Sequence, residues 1–216
     1  MKLYGYWRSS TSYRVRIALK LKSVDVEYIP VNLKSGEQLS DEYSEINVQQ
    51  SVPVLELNNG NRLTQSGAIL NYLETEYPAV SLLPADPKRR ALCHSFAEII
   101  ATEIHPFQNP RVINFIRSEF GAKERNIENW IHHWMSRSLT VLESIAQKSA
   151  HRFFLSDTPG LAECYLIPHM YSARRFKVDL SPYKQLQYLD DQCSQISVFQ
   201  DAMPERQRDA PWEAQA

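Results

Sequence analysis

Three hydroxyl residues, Ser9, Ser10 and Thr11, follow the apolar stretch Leu3 to Tyr6 and precede a segment in which Tyr13, Ile17 and Leu21 recur at i, i+4 spacing. That periodicity predicts a helix with the hydroxyls at its start. A hydroxyl there can cap a free amide. The same place favours an anion, because unpaired N–H groups and the positive end of the helix dipole converge on it. Three hydroxyls exceed what one cap needs, which leaves a donor for a bound anion. A second start of this kind occurs at Gln65-Ser66-Gly67, where an amide and a hydroxyl precede Ile69, Leu70, Tyr72 and Leu73. Between the two lies Val52-Pro53, at the entrance to the run Val54 to Leu57. Proline has no amide to donate and belongs at the beginning or edge of a strand. A cis bond there would turn the preceding amide and carbonyl outward. Two helix starts suited to a carboxylate, with such a strand entrance between them, form a coherent peptide-binding arrangement.

The elements that must carry these residues follow from the pattern around them. Leu3 to Tyr6 and Glu27 to Val31 read as strands, the second ended by Asn32 and a polar loop through Gly36. Val54 to Leu57 alternates apolar with polar residues and meets Asn58-Asn59-Gly60, a strong hairpin signal, with Asn61 to Leu63 returning. The order is β-α-β and then β-β-α, an α/β class reading: a small sheet flanked by helices. Pro78 and Leu83-Pro84-Ala85-Asp86-Pro87 form the natural linker, dividing the chain into residues 1–83 and 84–216. Beyond it the pattern is almost wholly helical. Arg90 to Ile104 is broken by Pro106 and Pro110, Glu124 to Ala150 is a longer amphipathic helix, and the more apolar Leu161 to Phe176 suits the centre of a second core. The tail after Met203, rich in Pro, Arg, Asp, Glu and Gln, reads as loose.

Composition excludes several classes of function. A 216-residue chain with 43% hydrophobic residues supports a proper core, and a net charge of −1 offers no basic field for nucleic acid. No run approaches the ~18 apolar residues of a membrane span, and a strand already begins at residue 2, so the chain reads as cytoplasmic. Cys93, Cys164 and Cys193 are scattered and form no Cys-x-x-Cys pair. Cys93, His94 and Glu98 stand one helical turn apart, but a zinc site needs three or four ligands and no second cluster appears, so no metal is expected. His132 and His133 read as a solvated or half-buried helix face.

Taken together, the strand, the Ser-Ser-x-x-aromatic-Arg-Val-Arg-Ile-Ala-Leu helix, Val-Pro, the hairpin, the Gln-Ser helix and the helical second half resemble a cytosolic glutathione transferase. Ser9 to Leu19 is close to the zeta-class signature. The similarity continues at Leu82-Leu83-Pro84, Ile104-His105-Pro106 and Ala173 to Leu180, so that it covers nearly the whole chain. Members of that class include maleylacetoacetate isomerase and the maleylpyruvate isomerases. The resemblance implies a thioredoxin-like glutathione-binding domain followed by an all-helical domain that helps hold a second substrate. It implies that Ser9 stands beside the glutathione sulfur with Ser10 and Thr11 completing the loop, that Val52 pairs with the cysteinyl part, and that Pro53 is cis. Gln65 and Ser66 would hold the γ-glutamyl end, with Arg14, Gln50, His105 and Asn109 completing the glutathione set. Arg8, Arg111 and Arg175 become candidates for the carboxylates of a small diacid, since a guanidinium grips a carboxylate at two points. A homodimer is also implied.

The chain departs from the zeta pattern in places. Many zeta enzymes carry Cys where Thr11 stands and Trp or His where Tyr13 stands; Thr keeps a hydroxyl donor, cannot act as a thiol, and resembles the maleylpyruvate isomerases. The usual Ser/Thr-x-x-Asp capping box is replaced by Gly160-Leu161-Ala162-Glu163, and glycine at N-cap costs only a few tenths of a kcal/mol. The chemistry implied is cis–trans isomerisation by reversible addition of a thiolate to an alkene conjugated with a carbonyl. Maleylacetoacetate in aromatic amino-acid catabolism is the leading substrate, with maleylpyruvate of gentisate-type degradation as the alternative. A conjugating or dehalogenating transferase acting on small electrophiles such as α-haloacids is a different reading, and an inactive interaction protein is a third. Intact Ser9, Val52-Pro53 and Gln65-Ser66 disfavour the last.

Overall fold

The computed structural model describes residues 1–211 and 213. By its internal contacts the chain forms two compact units: Met1–Leu82 together with the described residues from Ser194 onward, and Leu83–Cys193. The first break falls within a residue of the expected linker. The carboxy-terminal stretch, expected with the helical half, belongs by its contacts with the first unit.

The first unit is built on a four-stranded sheet in the order β2-β1-β3-β4, comprising β1 (Lys2–Gly5), β2 (Glu27–Pro30), β3 (Val54–Glu56) and β4 (Arg62–Thr64). β1 runs parallel to β2 and antiparallel to β3, and β3 pairs antiparallel with β4 across the Asn58-Asn59-Gly60 turn. Gly60 has a φ of 84°, the conformation the turn demands and glycine adopts without strain. Helix α1 (Ser10–Leu21) crosses between the parallel strands and buries Val15, Ile17, Ala18 and Leu19. Gly5 lets it approach: a Cβ there would lie 2.9 Å from the Tyr28 ring and 3.2 Å from Ser12 Oγ. A short helix α2 (Asp41–Ile46), which the polar composition concealed, is capped by Ser40 and buries Tyr43. Helix α3 (Ser66–Glu76) follows β4 and buries Ile69, Leu70 and Leu73.

Two buried cations lock this unit. Lys22, just past α1, places Nζ 2.8 Å from Glu74 Oε2 and donates to the carbonyls of Tyr77 and Val80 at 2.9 and 2.6 Å. Glu74 also accepts from the Leu82 amide and the Ser81 hydroxyl. Burial alone would raise the Glu74 carboxyl, but the Leu82 amide, Lys22 and the Ser81 hydroxyl outweigh it and hold it below its ordinary range. Arg16, 6% exposed, donates to the carbonyls of Trp7 and Ala202. The tail is therefore not loose over its described part: the Trp7 amide and the Tyr28 hydroxyl both donate to Asp209, and Arg208 reaches the Tyr28 carbonyl. Composition suggested looseness because the tail is polar, whereas those polar groups satisfy backbone at the sheet's β1–β2 side. Trp212 and residues 214–216 of the expected loose tail lie outside the described residues.

The second unit consists of α4 (Pro87–Glu103), α5 (His105–Gln108), α6 (Pro110–Phe120), α7 (Glu124–Ala146), α8 (Leu161–Arg175) and α9 (Lys184–Ser194, whose last residue falls past the break). Asp86 caps α4 by accepting from the Arg89 amide at 2.8 Å, and Pro87 occupies the first turn, where a missing amide is harmless. α7 stops at Ala146, four residues short of the expected Ala150, as the chain turns at Lys148 and Ser149. α8 is the core helix: Leu166, Met170 and Ala173 are fully buried, and the rings of Phe96 and Phe154 lie 4.3 Å apart beneath it. At its start Glu163 supplies what Gly160 cannot, accepting from the amides of Gly160 and Phe154 at 2.8 Å each. Burial raises its carboxyl while those amides pull it down. Helix α10 (Ser197–Ala202) returns to the first unit against α1.

Candidate active site

The amino end of α1 carries the first group of candidates. Ser9 is the N-cap, with φ −68° and ψ 121°, and its Oγ accepts from the Ser12 amide at 3.2 Å. Ser10 is the first helical residue. Thr11 Oγ1 lies 2.9 Å from Ser9 Oγ and donates to the Val52 carbonyl at 3.0 Å. The cap bond therefore occupies the Ser9 oxygen, while the Thr11 hydroxyl is spent on the Val52 carbonyl. The Val52–Pro53 bond is cis, as the sequence reading expects, and Pro53 is buried.

The loop that presents Val52 is held by Tyr43 and Asn47, which no sequence pattern marks, and by Gln50, which the family resemblance places in the glutathione set. The Tyr43 hydroxyl and Asn47 Nδ2 both donate to the Ser51 carbonyl, at 2.9 and 2.8 Å. Burial pushes the Tyr43 phenol upward, so it remains a donor. Asn47 is 4% exposed, a buried amide spent entirely on this turn. Gln50 has a φ of 50° and donates to Ser44 Oγ at 3.0 Å, so its side chain braces the loop. No periodic pattern marks such residues; an Asn just after a short helix and before X-Pro is the only sequence trace they leave.

At the start of α3, Gln65 stands at φ 66° and ψ 116°, a conformation that costs a non-glycine residue on the order of 1–3 kcal/mol. Strain of that size is kept where the backbone must be aimed. Its Nε2 donates to Gln49 Oε1 at 2.9 Å, which joins the two loops and brings in Gln49, another residue the sequence reading omitted. Ser66 is the first residue of α3 and is buried. Arg14 lies behind it: the guanidinium is buried, with Nη1 3.4 Å from Ser66 Oγ. Its charge adds to the positive end of α3 from beneath.

The three arginine candidates are exposed, and two of them rest on rings. Arg8 lies over Trp7 at 5.2 Å, and in the second unit Arg175 lies over Phe176 at 4.3 Å. Arg175 ends α8 where Lys177, at φ 56°, closes the helix through bonds from Lys177 to Arg174 and from Val178 to Ala173. His132 of α7 meets the Phe176 carbonyl at 2.7 Å and fixes that end. His105 opens α5 with its ring 6.0 Å from that of His169. Asn109 caps α6 by accepting from the amide of Arg111, whose side chain is exposed. The chain's own thiols are ill-placed for chemistry: all three are buried, and burial pushes Cys93 up to about 12.

Residues 1–75 match the model of the glutathione S-transferase N-terminal domain. A maleylpyruvate isomerase from a Ralstonia species is 42% identical over 212 residues, spanning 97% of this chain and 100% of its own length. The chain belongs to the zeta-class glutathione transferase family. A holo structure of a maleylpyruvate isomerase, described as a bacterial zeta-class glutathione transferase, superposes with a TM-score of 0.95 at 42% identity, over 98% of this chain and 100% of that one. Maleylacetoacetate isomerase from Anaeromyxobacter dehalogenans, with glutathione bound in its active site, gives 0.88 at 40% identity, over 97% of each. Glutathione is thus the cofactor of this family. The fold agrees throughout: a thioredoxin-like sheet domain and a helical region. Among the described residues no helix is long and apolar enough to cross a membrane.

Proposed function

We propose that this protein is a glutathione-dependent cis–trans isomerase of a maleyl diacid. The observation that carries the reading is the run from Ser9 through Thr11 to Val52, which joins a hydroxyl at a helix start to the backbone of a strand entrance. The residues present fit glutathione. Ser66 and the α3 amino end, backed by buried Arg14, suit the γ-glutamyl carboxylate; Val52 suits the cysteinyl peptide, and Ser9 suits the sulfur. His105 and Asn109 would contribute from the helical half. When bound, glutathione supplies a thiolate that adds reversibly to the substrate double bond and leaves unconsumed. The protein's part is to favour the charged form of the thiol with hydroxyl donors and a helix start, and to hold the diacid with Arg8, Arg111 and Arg175. A symmetric homodimer in the cytoplasm belongs to the same reading.

Maleylacetoacetate is the leading substrate. Thr11 favours the second reading, maleylpyruvate, because it stands where many zeta enzymes have Cys and because a maleylpyruvate isomerase is 42% identical over nearly the full length.

The arginines test the substrate class. Arg175→Lys keeps the charge and loses the planar two-point grip, so kcat/KM toward a maleyl diacid should fall about tenfold or more, the loss of one charge-assisted bond of about 1.5–3 kcal/mol. The KM for glutathione and any activity toward a neutral electrophile should stay within about twofold. Equal losses toward charged and neutral substrates would make Arg175 a structural cap of α8 instead.

A further inference from the structure

We propose that Thr11 holds the Ser9 proton away from the sulfur position in the resting enzyme, and so sets how strongly Ser9 can favour the bound thiolate. The inference deepens the reading above, on which it rests for Ser9 facing the sulfur. A hydroxyl has one proton. Thr11 spends its proton on the Val52 carbonyl, which can only accept, across 3.0 Å. The 2.9 Å contact between Thr11 Oγ1 and Ser9 Oγ therefore requires the Ser9 proton. Ser9 Oγ also accepts from the Ser12 amide at 3.2 Å. Two bonds of the Ser9 oxygen thus point into the protein, and the one that matters for an anion is directed at Thr11.

A thiolate is only an acceptor, so Ser9 must turn its proton out of the Thr11 bond before it can donate to sulfur. Giving up a neutral hydrogen bond offsets part of the new one, by an amount equivalent to about half to one pKa unit of the thiol. Valine has the shape of threonine without an acceptor. In Thr11→Val the Ser9 proton loses its Thr11 acceptor and is released to the sulfur. Thr11→Ser keeps the acceptor and should leave the thiol pKa in place.

The test is a pH titration of the thiolate absorbance of glutathione bound to saturation on the unaltered enzyme, Thr11→Val, Thr11→Ser, Ser9→Ala and the double variant Ser9→Ala/Thr11→Val. Thr11→Val should lower the thiol pKa by about half to one unit, Thr11→Ser should leave it in place, and Ser9→Ala should raise it. The double variant should match Ser9→Ala, because Thr11 acts through Ser9. Thr11→Ala provides the same comparison should the valine variant fail to fold. A pKa that stays or rises in Thr11→Val while Ser9→Ala raises it would overturn the role given to Thr11 and leave Ser9 beside the sulfur. An unchanged pKa in Ser9→Ala would instead overturn the placement of Ser9 and the inference with it.

Discussion

Ser9→Ala should lower isomerase turnover by about 10²–10³, the usual loss when one preorganised donor to an anion is removed. Thr11→Ala should cost far less. The difference follows from their bonds: Ser9 alone caps the helix and stands at the expected sulfur, while Thr11 is committed to the Val52 carbonyl. Losing the cap should also lower stability by about 1 kcal/mol, so rates are to be compared per folded enzyme after a denaturant titration. A Thr11→Ala loss larger than that of Ser9→Ala would transfer the primary role to Thr11.

The second large effect is on stability. Lys22→Met should destabilise the fold by about 3 kcal/mol, because it leaves the half-buried Glu74 carboxylate without its cation and the Tyr77 and Val80 carbonyls without their donor. The double variant Lys22→Met/Glu74→Gln should recover much of that loss, since a neutral amide can still accept from Leu82. The pair also has a pH signature. Glu74 titrates below its ordinary value of about 4.5 when folded. Its contribution is therefore complete above that value and is lost as pH falls through the lower folded one. Urea unfolding midpoints against pH check this: the acid dependence should be shallower in the double variant. Single and double variants equally unstable would mean that Lys22 matters for packing alone.

Much of the fold was legible because its signals were local. The β-α-β and β-β-α order, the Asn-Asn-Gly hairpin and both hydroxyl helix starts depend on neighbours in sequence, and all three appear where periodicity and turn chemistry put them. What escaped depends on distant partners. Lys22 and Arg16 look like ordinary exposed cations of an amphipathic helix, yet each ends among carbonyls from elsewhere in the first unit. α2 was hidden because only Tyr43 of its six residues is buried. The polar tail reads as loose until Asp209 is seen to hold Trp7 and Tyr28. Ser9, Thr11, Val52 and Ser66 stand at the helix starts and the strand entrance where residue type and order put them. Asn47, Tyr43 and Gln49 were not legible, because they act on backbone and side chains of adjoining loops rather than on any motif. The loss of the capping box at Gly160 was legible, but its replacement was not. A Glu at N3 reaches both Gly160 and Phe154, and only the folded loop brings Phe154 there.

The most direct test is to supply the purified protein with maleylacetoacetate and, separately, maleylpyruvate, and to follow the absorbance of each cis diacid with and without glutathione. Conversion to the trans isomer of at least one should require glutathione, and the free thiol should be undiminished when the reaction is complete. Conversion no faster with glutathione than without it, or loss of one thiol for each substrate consumed, would contradict an isomerase that borrows its nucleophile and returns it.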